Sequence, residues 1–83
     1  MLKTTDYVPA DGLEPFPALS VREREVLEMA AQGMTNTRIG DELQLSVHGV
    51  KFHLSSIYRK LGVANRTEAA NVYLRAERAG EAR

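Results

Sequence analysis

Eighty-three residues leave room for one small domain with a single core. Eleven basic residues balance eleven acidic ones, which argues against a generic polyanion binder. The absence of cysteine rules out disulfide staples and thiolate-metal sites. No stretch approaches the ~20 apolar residues of a membrane span, and the start lacks the basic residues and apolar run of a secretory signal, so the cytoplasm is the expected compartment.

Residues 1–18 hold all three prolines (Pro9, Pro15, Pro17) and Gly12 without apolar periodicity. They read as an irregular tail or linker in which Tyr7 and Phe16 can dock locally. The folded domain is expected over 19–80. "SVRE" (Ser20 to Glu23) has the form of a capping box. The first helix then gathers Val26, Leu27, Ala30 and Ala31 on one face and stops at Gly33. Thr35 or Asn36 can cap a short second helix that buries Ile39 and Leu43. Arg38 stands where a capping-box acid would help. Gly40 costs that helix about 1 kcal/mol against alanine, or marks a close approach. Only Gln44 and Leu45 precede Ser46, the expected cap of a third helix over 47–61 that ends at Gly62. "NRTE" (Asn65 to Glu68) starts a fourth helix over 66–79, before Gly80. No β-alternation or internal repeat appears, so the expected class is an all-α, four-helix domain with an irregular N-terminal tail.

Charge singles out the third helix. Residues 1–46 carry four basic against eight acidic side chains, and residues 63–83 carry four against three. Residues 47–62 carry Lys51, Arg59 and Lys60 with no acid. At ~100° per residue, Leu54, Ile57 and Leu61 fall within about 40° of Val50 and form a buried stripe. His48, Lys51, Phe52, Ser55, Ser56 and Arg59 fall on the opposite side, with His53 and Lys60 at the stripe's edge. An exposed helix carrying cations, small hydroxyls and one ring suits a DNA major groove, where lysine donates to guanine and a ring meets a thymine methyl. The short helix, tight turn and longer capped helix form a helix-turn-helix arrangement over about 35–61.

Each feature also has a plain structural reading. Helix surfaces commonly carry Lys and Arg, and a single exposed Phe is often incidental or covered by a tail or partner. Here Tyr7 or Phe16 is the available cover. His48 and His53 lie about 140° apart, which is poor for joint metal ligation, so no metal or other cofactor is expected. His53 reads most simply as half-buried and hydrogen-bonded, with a phosphate contact as the functional alternative.

The order of residues adds to this. Leu19-Ser20 precede Arg22-Glu23-Arg24-Glu25-Val26-Leu27. Gly33, Thr35-Asn36, Ile39, Leu43, Ser46, Val50-Lys51, His53, Lys60-Leu61-Gly62-Val63 and Arg66 follow. In this order they resemble the LuxR-type (GerE, or NarL/FixJ-type) helix-turn-helix domain of bacterial transcription regulators, over about Leu19 to Leu74. The resemblance implies a four-helix domain that binds double-stranded promoter DNA as a homodimer, in the bacterial cytoplasm on the nucleoid. It makes helix 47–61 the recognition helix. Lys51, Phe52 and Ser55 match positions that face base edges, and His48 shares their face. Thr35, Asn36, Ser46, Val47, His53, Arg59 and Lys60 match positions at or near the DNA backbone. Arg38 and Arg66 add cations there.

Three positions depart from the family's usual residues. Arg38 replaces an acid, exchanging a cap contact for a potential phosphate contact. Gly40 replaces alanine. Gly49 replaces threonine, removing a side chain that can cap or touch phosphate. Phe52 occupies a variable position, as suits a determinant of target choice.

In the fourth helix, Ala69, Val72, Tyr73 and Ala76 form one apolar stripe, and Ala70 and Leu74 a second about 130–150° away. One stripe can pack on the domain, leaving Ala70 and Leu74 for a second copy. Tyr73 can serve either side. No nucleophile with a partner base, carboxylate pair or phosphate-binding glycine loop is present, so an enzyme is not expected. Two rivals to a transcription regulator remain: a protein-interaction adaptor, favoured by the zero net charge, and a sigma-factor-like promoter-binding module that associates with RNA polymerase. The chain has no room for a sensing domain of about 100 residues. It is thus expected to be a stand-alone regulator or the output piece of a longer protein.

Overall fold

The computed structural model describes Phe16 and residues 18–81, and these contain four helices. Helix α1 spans Val21–Ala31, α2 Asn36–Leu43, α3 Val47–Leu61 and α4 Arg66–Glu81. Most of the tail expected over 1–18, including Tyr7, lies outside the described residues.

Local chemistry sets the boundaries. The Ser20 hydroxyl accepts from the Glu23 N–H at 3.0 Å while the Glu23 carboxylate accepts from the Ser20 N–H at 2.9 Å, which completes the capping box. Thr35, rather than Asn36, caps α2 and accepts from the Arg38 N–H at 3.1 Å. Ser46 caps α3 and accepts from the Gly49 N–H at 2.9 Å. Helices α1 and α3 end ahead of Gly33 and Gly62, whose φ values of 90° and 72° only glycine adopts without strain.

Two details of α4 differ from expectation. The Asn65 side chain accepts from the Glu68 N–H at 2.9 Å as a cap should, but Glu68 reaches back to the Ala64 N–H, not to Asn65. The helix also continues through Gly80 to Glu81, beyond its expected end at Ala79. Gly80 does not take the positive φ of a helix-ending glycine, so it stays within the helix at a cost in propensity of about 1 kcal/mol against alanine.

Helix α1 packs against α4 and α3, and α2 packs against α3. Val26, Leu27, Ile39, Val50 and Ile57 are fully buried at their junction. Burial of each such side chain contributes about 1.5–3 kcal/mol. Phe16 and Leu19 join this core, and the Leu19 N–H donates to the Phe16 carbonyl at 3.0 Å. Phe16 therefore docks on the domain, although it falls in the stretch read as tail. Its ring stacks on Tyr73 of α4 with centroids 6.0 Å apart.

The α2–α3 turn is the tightest point. Gln44 takes the left-handed conformation (φ 58°, ψ 46°), and the Leu45 N–H bonds back to the Gly40 carbonyl at 2.9 Å. A Cβ on Gly40 would stand 2.5 Å from the Leu45 carbonyl oxygen. Glycine here marks the close approach of the turn backbone.

Candidate nucleic-acid interface

The buried side of α3 is as its spacing predicts: Val50 and Ile57 are 0 % exposed and Leu54 5 %. These anchors turn His48, Lys51, Phe52, Ser55 and Arg59 to solvent, all of them exposed. Phe52 is 72 % exposed, the most of any large apolar residue among those described. Phe16, one of its two suggested covers, lies buried on Tyr73 instead. The ring neighbour of Phe52 is His53, edge to face at 5.9 Å. His53 is half-buried as expected, but among the described residues its ring makes no hydrogen bond.

Hydroxyl caps stand at the starts of α2 and α3. Thr35 and Ser46 each use a hydroxyl oxygen as a cap acceptor, and the hydroxyl proton remains available to a phosphate. Val47, the first residue of α3, is partly exposed. Arg38 is exposed and pairs loosely with Glu42 one turn on, at 3.4 Å. A Cβ on Gly49 would meet Ser46 Oγ at 3.4 Å and Leu45 Cβ at 3.6 Å, ordinary contacts that leave room for a methyl group at this position.

The other flank of α3 departs from the helical-wheel reading. Ser56, expected on the polar side, is 7 % exposed, because Glu23 of α1 covers it. The Ser56 hydroxyl donates to Glu23 Oε2 at 2.7 Å, and the Lys60 ammonium reaches Glu23 Oε1 at 2.9 Å. Burial pushes the Glu23 carboxyl up. The Ser20 N–H, the Ser56 hydroxyl and the Lys60 charge outweigh burial and hold its pKa down at about 2. Lys60, matched by resemblance to a backbone position, therefore has a partner within the domain while its side chain stays partly exposed.

Arg66 is similarly committed. Its guanidinium donates to Asn36 Oδ1 at 2.7 Å and to the Met34 carbonyl, tying the start of α4 to the start of α2. Two residues assigned separately to the DNA backbone thus hold each other. On α4, Tyr73 stacks on Phe16 and donates to Glu77 at 3.1 Å, which places its ring on the domain's own core. Burial, then the hydrogen bond to Glu77, pushes its phenol up to about 12. Ala70 is half-buried and Leu74 is 42 % exposed. The sequence reading missed the Glu23–Ser56–Lys60 and Asn36–Arg66 contacts, and its signals for them were slight: an acid at N3 of α1 and a lone basic residue after a cap.

Among the described residues no group of three His, Cys, Asp or Glu side chains is placed to hold a metal, and no helix is long and apolar enough to cross a membrane.

Comparison with known proteins agrees with this architecture. Residues 17–73 match the family described as bacterial regulatory proteins, luxR family. The chain is 47 % identical over 62 residues to the HTH-type transcriptional regulator YhjB of Escherichia coli, covering 75 % of this chain and 31 % of YhjB. It is 45 % identical over 56 residues to the transcriptional regulatory protein LiaR of Bacillus subtilis, covering 68 % and 26 %. It is 39 % identical over 61 residues to the nitrate/nitrite response regulator protein NarP of Escherichia coli, covering 74 % and 28 %. The chain thus spans about a third or less of the length of these relatives. The match over most of its described residues shows that the chain belongs to the luxR family of bacterial regulatory proteins.

Proposed function

We propose that this domain binds double-stranded DNA in a sequence-specific way and serves transcription regulation, as the names of its relatives say of them. Helix α3 enters the major groove. The observation that carries this reading is the exposed sector of α3, where His48, Lys51, Phe52, Ser55 and Arg59 stand together with no acid on the helix. Lys51 donates to guanine acceptors, Phe52 meets a thymine methyl, and Ser55 and His48 supply short polar contacts. Thr35, Asn36, Arg38, Ser46, Val47, His53 and Arg59 line the DNA backbone, where neutralised phosphates supply salt-sensitive affinity. Lys60 and Arg66 act behind this surface.

The domain binds as a homodimer through Ala70 and Leu74 of α4, on two half-sites, in the bacterial cytoplasm. The exposure of Leu74 supports this, with Tyr73 turned to the core.

Selection of bound duplexes from a random pool tests the reading. The expected result is a two-fold symmetric motif that contains guanine and thymine. Failure to enrich any sequence contradicts it, and binding to RNA polymerase core without self-association would favour the sigma-like alternative.

A further inference from the structure

We infer that Arg66 is a positioning residue for DNA binding: its guanidinium fixes the Asn36 amide so that the amide's N–H groups face the DNA backbone. The inference rests on the DNA-binding reading and refines its backbone contacts.

Arg66 stands at the first position of α4, 30 residues from Asn36, the first residue of α2. A guanidinium only donates hydrogen bonds, so the Asn36 atom 2.7 Å from Arg66 Nη1 is the amide oxygen. That fixes which way round the carboxamide sits. Its two N–H donors then point away from Arg66, and no hydrogen bond within the described residues uses them. The second arm of the fork donates to the Met34 carbonyl, just before the Thr35 cap. The same charge lies close enough to the half-buried Tyr58 of α3 to oppose the rise that burial gives its phenol. Arg66 thus touches the entry to α2, acts on α3, and is only partly exposed. Its cation faces protein acceptors, and the donor offered to a phosphate is the neutral Asn36 amide.

The two possible roles of Arg66 predict different salt dependences. Each phosphate neutralised by a side-chain cation adds about 0.9 to the slope of log K against log salt. A positioning residue adds affinity but no slope. Affinity for the selected duplex should therefore be measured across a salt series for the whole chain and for Arg66→Lys, Arg66→Gln and Asn36→Asp, with thermal unfolding of each.

Arg66→Lys keeps the charge and loses the fork, and should weaken binding roughly tenfold with the slope unchanged. Arg66→Gln should do the same. Asn36→Asp keeps an acceptor for Arg66 and strengthens that pair, so its Tm should hold or rise while affinity falls by tenfold or more, because the donor is gone. If Arg66→Gln does not fold, the other two variants still decide. Full affinity in Arg66→Lys together with a slope lowered by about 1 in Arg66→Gln would overturn the inference and make Arg66 a phosphate ligand. Full affinity in Asn36→Asp would also overturn it. Failure of the wild-type chain to bind any duplex would instead remove the DNA-binding reading itself.

Discussion

Phe52 holds its ring in solvent at 72 % exposure, with the His53 ring packed edge to face against it. A phenylalanine this exposed contributes little to folding, so its replacement should change stability by less than about 1 kcal/mol. Its effect belongs to recognition. Phe52→Ala should relax the preference at one thymine-bearing position of the selected motif, while Lys51→Ala should weaken specific binding by about 1–3 kcal/mol. Motif selection on each variant checks both, and an unchanged motif from Phe52→Ala contradicts the role given to the ring. Gly40 makes the opposite kind of prediction. Helix propensity alone favours alanine there by about 1 kcal/mol. The Leu45 carbonyl oxygen stands 2.5 Å from the position of the added Cβ, and backbone cannot step aside as a side-chain tip can. Overpacking of this kind costs about 1–3 kcal/mol. Gly40→Ala should therefore lower Tm despite its better propensity, and a raised Tm would show that the turn relaxes freely.

Contacts between elements turn on Glu23, which joins α1 to α3. Its carboxylate serves the Ser20 cap, Ser56 and Lys60 at once. Because its pKa in the fold lies at about 2, below the ordinary 4.5, the stability it adds is full above the ordinary value and is lost as pH falls through the lower one. Urea unfolding between pH 5 and 2 should show this loss in the wild type and a flatter profile in Glu23→Gln. The variant should also be less stable at pH 7 by about 2–3 kcal/mol, since it loses charge-assisted bonds near the interior. Parallel profiles would contradict the assignment. This network also marks the limit of what the sequence revealed. Caps at Ser20, Thr35 and Ser46 and the α3 stripe are local, fixed by neighbours three or four residues away, and were legible. So were the exposed Lys51, Phe52 and Ser55. Ser56 was misplaced because a helical wheel does not say which flank another helix covers. The partners of Lys60 and Arg66 lie 37 and 30 residues away, and no periodicity encodes such a pairing. Tyr73 was ambiguous for the same reason, until Phe16 supplied its partner.

For the whole molecule, Leu74 is 42 % exposed on α4 beside the half-buried Ala70, while Tyr73 is turned inward. If two copies meet through this face, Leu74→Asp should leave helix content unchanged and shift sedimentation to the monomer. It should also weaken binding to a two-half-site duplex far more than to one half-site. Equal loss on both would place the dimer contact elsewhere. The zero net charge of the chain makes the salt dependence of DNA binding the most direct test of the central claim, because attraction must come from the local α3 surface and not from overall charge. Affinity for the selected duplex and for a scrambled duplex should be measured across a salt series. The account predicts that log K falls linearly with log salt, with a slope of magnitude about 2 or more per domain, and that the selected duplex binds at least about a thousandfold more tightly. Equal affinity for both duplexes, or no binding at low salt, would contradict it.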